Sequence, residues 1–152
     1  MIGLTSLEQL SLAQTISITQ LGASYQTFDK INNLLSAVLS IKTLKALDMS
    51  KNKLHPENVM SMLRHACNAE KLDVLILSSL DSLNDETASQ LIDFIKAKPD
   101  LKKLSISGCT KLCSSTVSNI VAALIQCRKI KEVDFSKCHF DGNFSSIGAL
   151  LT

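Results

Sequence analysis

Apolar positions along the chain follow two alternating rhythms. The first is short. Leu44, Leu47 and Met49 stand at spacing 0, 3, 5, as do Leu72, Leu75 and Leu77, then Leu101, Leu104 and Ile106, then Ile130, Val133 and Phe135. The copies start at positions 44, 72, 101 and 130, an almost constant period, and a serine follows each: Ser50, Ser78, Ser107 and Ser136. Ala13, Ile16 and Ile18 form a weaker copy about one period earlier. Alternation of this kind predicts a short strand. Between copies the spacing becomes helical. Ile31, Leu34, Leu35, Val38 and Leu39 make one face, and Val59, Met62, Leu63, Ala66 and Cys67 the next. Leu91, Ile92 and Ile95 follow, then Val117, Ile120, Val121 and Leu124. Each unit therefore reads as strand, loop and amphipathic helix. Pro56 suits a first helical turn, where its missing N–H costs nothing. Asn84, Asp85 and Glu86, and later Ser114 and Ser115, supply caps and early negative charge. Pro99 ends the helix that contains Leu91, because the residue before proline avoids helical geometry.

At these residues the chain resembles the leucine-rich repeat family. Leu44, Leu47, Met49, Asn52 and Leu54 fit the signature L-x-x-L-x-L-x-x-N-x-L, and Ile130, Val133, Phe135, Cys138 and Phe140 fit it with Cys in the Asn place. Leu101, Leu104, Ile106 and Cys109 also fit, with Leu112 one residue late. In the remaining unit Leu80 stands where Asn or Cys belongs, and Leu83 is late. The period and the full helix resemble the ribonuclease-inhibitor-like, intracellular subclass. The resemblance spans roughly residues 13 to 152. It implies an α/β solenoid, a horseshoe or arc of about five repeats, each of roughly 28–31 residues. Parallel strands would line the concave face and helices the convex face. The expected organisation is a single domain over 1–152. Residues 1–12, with Leu4, Leu7, Leu10 and Leu12, would cap the first layer. Residues 141–152, with Ile147, Leu150 and Leu151, would be a partial last repeat or a C-terminal cap.

In such a unit the residues between the apolar strand positions point outward. Stacked strands then display columns on the concave face. The first column reads Thr15, Ala46, Val74, Lys103, Glu132, and the second Ser17, Asp48, Ile76, Ser105, Asp134. The third reads Thr19, Ser50, Ser78, Ser107, Ser136. Solenoids bind through this surface. The expected partner-binding residues are Ala46, Asp48, Val74, Ile76, Lys103, Ser105, Glu132 and Asp134. Ala46, Val74 and Ile76 would form an apolar centre inside a charged rim, as at protein interfaces. The plainer reading is that strand propensity alone places Val and Ile there. Likewise the serine column either avoids crowding or offers hydroxyls to a partner.

Composition agrees with thin aliphatic layers. The 152 residues include 24 Leu but only 4% aromatic residues. A net charge of +2 argues against a nucleic-acid binder, which needs a basic face. No apolar run approaches the ~20 residues of a membrane span, and Ile120 to Ile125 is the longest aliphatic run. The N-terminus lacks the basic start of a signal peptide. Five scattered cysteines give no paired framework and favour a reducing compartment. The expected location is the cytoplasm, or a host cytosol for a secreted effector.

Candidate chemistry is sparse. Cys109, Cys113, Cys138 and His139 are the one metal-like group, and Cys109-x3-Cys113 has zinc-type spacing. The repeat position already accounts for Cys109 and Cys138, so no metal and no cofactor are expected. His139 follows Cys138 directly, and neighbouring strand residues face opposite ways, which argues against a nucleophile–base pair. No phosphate-binding or zinc-protease motif is present. The expected function is a non-enzymatic module that binds a protein partner through the concave face and adjoining loops, as a cytosolic adaptor or a bacterial effector. The alternative is a regulatory or targeting domain of a larger enzyme. An uncapped terminal repeat would allow a homodimer.

Overall fold

A computed structural model describes residues 6–16 and 25–139. Five strands of three residues each form one parallel sheet in chain order: β1 (Gln9–Ser11), β2 (Ala46–Asp48), β3 (Val74–Ile76), β4 (Lys103–Ser105) and β5 (Glu132–Asp134). Four helices alternate with them: α1 (Tyr25–Leu39), α2 (Pro56–Cys67), α3 (Ala88–Ala97) and α4 (Ser114–Leu124). Each helix packs beside the next, and each strand pairs with the next. This is the expected leucine-rich-repeat-type solenoid.

The core lies between sheet and helices, one thin layer per unit. Leu47, Leu75 and Leu104, at the centres of β2 to β4, are fully buried. So are Met49, Leu77 and Ile106 just beyond those strands. Val59, Met62 and Leu63 meet them from α2, and Val117, Ile120 and Val121 from α4. On α3 the sequence reading missed Phe94, which is fully buried beside Leu91 and Ile95. On α1 it assigned Leu34 to the apolar face, yet Leu34 is 44% exposed. Among the described residues α1 packs against one helix, α2, rather than two.

The first strand is not where the weak copy at 13 to 18 placed it. Leu7, Leu10 and Leu12 carry the same 0, 3, 5 spacing, and Gln9–Ser11 pairs in register with Ala46–Asp48. The expected cover over the first layer therefore enters as a rung of the sheet. Residues 13–15 form a turn, and Ile16 is buried in the loop that follows. Residues 17–24 lie outside the described set, as do 1–5 and 140–152 with Ile147, Leu150 and Leu151. Asn52 explains why the stretch is loop rather than strand. Its Oδ1 accepts from the N–H groups of Thr15 (3.0 Å) and Ile16 (2.7 Å). Its Nδ2 donates to the carbonyls of Leu12 and Met49, both at 2.8 Å. One buried amide thus uses its full donor and acceptor capacity.

Strand pairing continues past the short strands into the turns. Lys51 N–H donates to Ser78 O at 2.8 Å, Ser79 N–H to Ser107 O at 2.7 Å, and Gly108 N–H to Ser136 O at 2.8 Å. Gln14 N–H makes the same bond to Ser50 O at 2.8 Å. The donors share a conformation: φ is 56° at Gln14, 58° at Lys51, 54° at Ser79 and 72° at Gly108, and Lys137 matches them at 61°. A left-handed residue turns the chain out of every strand. Only Gly108 is free of the steric cost that a Cβ brings there. A Cβ at Gly108 would also lie 2.7 Å from Ser79 Oγ of the preceding rung.

Helix starts follow local chemistry with small offsets. His55 precedes Pro56, and its Nδ1 accepts from Glu57 N–H at 3.3 Å. Asn84 Oδ1 accepts from the N–H groups of Glu86 and Thr87, both at 3.0 Å, but α3 begins only at Ala88. Cys113 holds the N-cap of α4, so Ser114 and Ser115 lie inside its first turn.

Two stability effects follow. Asn52→Ala strands buried backbone groups on two units and should lower stability by about 2–3 kcal/mol. Lys51→Gly removes left-handed strain and should raise it by about 0.5–1 kcal/mol, whereas Gly108→Ala should lower it by about 1 kcal/mol or more. Urea denaturation midpoints measure all three.

Candidate functional site

The register brings the predicted concave residues together. Ala46, Val74, Lys103 and Glu132 are paired neighbours across β2 to β5, and so are Asp48, Ile76, Ser105 and Asp134. The buried Leu47, Leu75 and Leu104 lie between these two columns and face the opposite way. In the first unit the columns begin with Gln9 and Ser11, not with Thr15 and Ser17. Thr19 lies outside the described residues. The face is partly sheltered: Ala46, Asp48, Val74, Ile76, Lys103 and Asp134 are half-buried, Ser105 is buried and Glu132 is exposed.

Polar residues of this face are organised by bonds across rungs. Lys103 Nζ pairs with Glu132 Oε1 at 2.7 Å. Asp48 Oδ1 accepts from Ser50 N–H, and Asp134 Oδ1 from Ser136 N–H, both at 2.9 Å. Ser11 Oγ donates to Asp48 Oδ2 at 3.3 Å. The Ser136 hydroxyl and N–H hold the Asp134 carboxyl below the ordinary carboxylate range. The serine column links units directly. Ser78 and Ser105 hydroxyls meet at 2.7 Å, as do those of Ser107 and Ser136. Ser50 is buried. These hydroxyls act within the sheet as well as facing outward.

The cysteines separate by environment. Cys109 Sγ donates to Leu77 O at 3.2 Å and Cys138 Sγ to Ile106 O at 3.1 Å. Each thiol therefore bonds a backbone carbonyl of the unit before it, as Asn52 does. Burial pushes the Cys109 thiol up to about 11 and raises that of Cys138. Cys127 repeats the device on the other edge, with Sγ 3.6 Å from Lys98 O. There Lys98 Nζ donates to Ala69 O, and burial lowers its ammonium pKa. Cys109 is buried and Cys113 exposed, so the zinc-type spacing does not assemble a shared site. Among the described residues no group of three His, Cys, Asp or Glu could hold a metal.

Sequence reasoning weighed Cys113 only as part of the zinc-type spacing, not as a helix cap or an exposed thiol. Its N–H donates to Asp85 Oδ1 at 2.9 Å, and its sulfur meets the hydroxyls of Ser115 (3.0 Å) and Thr116 (3.2 Å). These hydroxyls lower its pKa. With His139 it borders a shallow cleft of about 510 Å³. Another cleft, of about 730 Å³, lies on the opposite edge of the sheet beside Lys98. Ion pairs cross rungs there: Lys45 with Glu8 at 2.8 Å, Lys129 with Asp100 at 3.1 Å, and Lys102 with Asp73. Exposed pairs of this kind contribute little to stability.

The architecture is similar to those of two solved domains. One is described as the tropomodulin C-terminal domain, from Caenorhabditis elegans, with a TM-score of 0.62 and 20% identity. That match covers 73% of this chain and 65% of the tropomodulin chain, less than two thirds of its length. The other is leiomodin-1 Actin-Binding Site 2, with a TM-score of 0.64 and 14% identity over 84% of this chain and 72% of that one. At such identities the likeness is one of fold. No family model and no curated protein matches the sequence. Among the described residues no helix is long and apolar enough to cross a membrane.

Thiol environments give a direct check. Iodoacetamide at neutral pH should alkylate Cys113 first, because it is exposed and its thiolate is favoured. Cys109 should react only on global unfolding. A mass-spectrometric time course reads the order, and early labelling of Cys109 would contradict the burial described.

Proposed function

We propose that this domain is a non-enzymatic protein-interaction module that binds its partner through the concave strand face and adjoining loops. The observation that carries the reading is the paired register of β2 to β5. It gathers Ala46, Val74 and Ile76 into a half-buried apolar centre bordered by Asp48, Lys103 and Ser105, with Asp134 one rung further on. An apolar centre within a polar border is the usual anatomy of a protein interface. Solenoids of stacked repeats bind through this kind of surface. The leiomodin domain of similar fold is described as an actin-binding site, so actin is the first partner to assay. The near-constant period and full helices fit the ribonuclease-inhibitor-like subclass. Free thiols at all five described cysteines suit a reducing compartment such as the cytosol.

Ile76→Glu and Val74→Glu test the reading. Both side chains are half-exposed, so the fold should survive, with circular dichroism and thermal midpoint close to wild type. Partners captured by the wild type should be lost from both variants. A correctly folded Ile76→Glu variant that keeps every partner would move the binding surface elsewhere.

A further inference from the structure

The chain as a whole is basic, with a net charge of +2, but its concave face is acidic. Asp48, Glu132 and Asp134 stand there against Lys103 alone. Lys103 is committed to Glu132 at 2.7 Å. Among the described residues, Asp48 and Asp134 take part in no ion pair. Both are aimed by the same local device, a bond from the N–H two residues on, at Ser50 and Ser136. That bond uses one oxygen of each carboxylate. The second lies 3.3 Å from the Ser11 hydroxyl in Asp48 and 3.5 Å from the Ser105 hydroxyl in Asp134, whose carboxyl the Ser136 hydroxyl also meets. Neither acid is in a direct ion pair, although Lys103 lies near enough to favour the Asp134 charge. Two oriented acids thus stand at the two ends of the β2–β5 column, with Ile76 and Ser105 between them.

Their separation is set by the sheet. Asp48 and Asp134 are three rungs apart in one column, about 14 Å at the ~4.8 Å strand spacing. Ile76 lies between them in the same column. Extended chains rise ~3.3 Å per residue and show every second side chain on one face. An extended segment with cations at its first and fifth positions and an aliphatic side chain at the third therefore spans the same distance. We infer that the concave face takes a protein segment of this chemistry, an aliphatic residue flanked on both sides by Lys or Arg. The inference rests on the concave-face reading above and names the partner class for it. Cations on the partner would meet carboxylates that are already oriented, and an aliphatic group would cover Ile76 and Val74.

The test is selection from a display library of random short peptides against the wild-type domain, with two variants beside it. Asp48→Asn with Asp134→Asn keeps an oxygen for the Ser50 and Ser136 N–H groups and removes both charges. Ile76→Glu removes the apolar centre. The expected result is a basic–aliphatic–basic consensus from the wild type. The best such peptide should bind the double Asn variant roughly ten-fold more weakly, lose affinity as salt rises, and fail to bind Ile76→Glu. Three results would overturn the inference: no enriched consensus, a consensus without basic flanks, or equal binding to the double Asn variant. If binding is lost in Ile76→Glu without any charge preference, the partner chemistry is wrong while the concave-face reading stands. If Ile76→Glu binds as wild type does, the surface itself is wrong.

Discussion

Every strand in this domain is too short to exist alone. Such brief pairing closes few hydrogen bonds, and isolated pairs of strands are marginal in water even when longer. The constraint on which the rest depends is therefore the bond from each unit to the next. The backbone ladder runs through the strands, continues through Lys51, Ser79 and Gly108, and resumes at the same place in every unit. Apolar layers can be thin because that ladder holds them in register. The helices then need only one apolar stripe each, to cover one layer and touch the next helix.

The same constraint produces the concave face. A chain that must pair at one fixed offset has no freedom to choose which side chains become neighbours. Val74 meets Lys103 and Ile76 meets Ser105 because Leu75 must meet Leu104. Surface chemistry is thereby written in columns, with one position per unit. A substitution outside the buried positions changes that surface with little effect on the scaffold.

Much of this was legible in the sequence, for a physical reason. The second to fifth units recur at near-constant intervals, and period-2 alternation fixes which residues face out, so the concave positions follow from Leu47, Leu75, Leu104 and Val133. The first strand was ambiguous because Leu7, Leu10 and Leu12 and the window at 13 to 18 both satisfy one spacing rule. Only Asn52, reaching back to Thr15 and Ile16, distinguishes strand from loop. The left-handed turn went unread because four of the five described positions with positive φ are not glycine. Backbone pairing imposes that conformation against local preference. Lys98 and Cys127 were silent for another reason: each acts through a side-chain bond to a backbone carbonyl of the preceding unit, and neither belongs to the repeat signature.

The seams between units differ in what ties them. At the first, the Asn52 amide makes three bonds across to Leu12, Thr15 and Ile16. At the second, Leu80 occupies the Asn place and contributes no polar group, but the Ser82 hydroxyl reaches back to Leu54 O. At the third and fourth, the thiols of Cys109 and Cys138 each reach one carbonyl. Thiols are weaker donors than amides. A linear array behaves as a chain of nearest-neighbour couplings. Here the side chain that reaches back from the loop after each strand changes from amide through hydroxyl to thiol along the described units. The serine pairs Ser78 with Ser105 and Ser107 with Ser136, and the Lys103–Glu132 ion pair, tie the later seams across the strands. A molecule regular in shape thus ties each seam with a different set of side chains, a variation that its outline does not show.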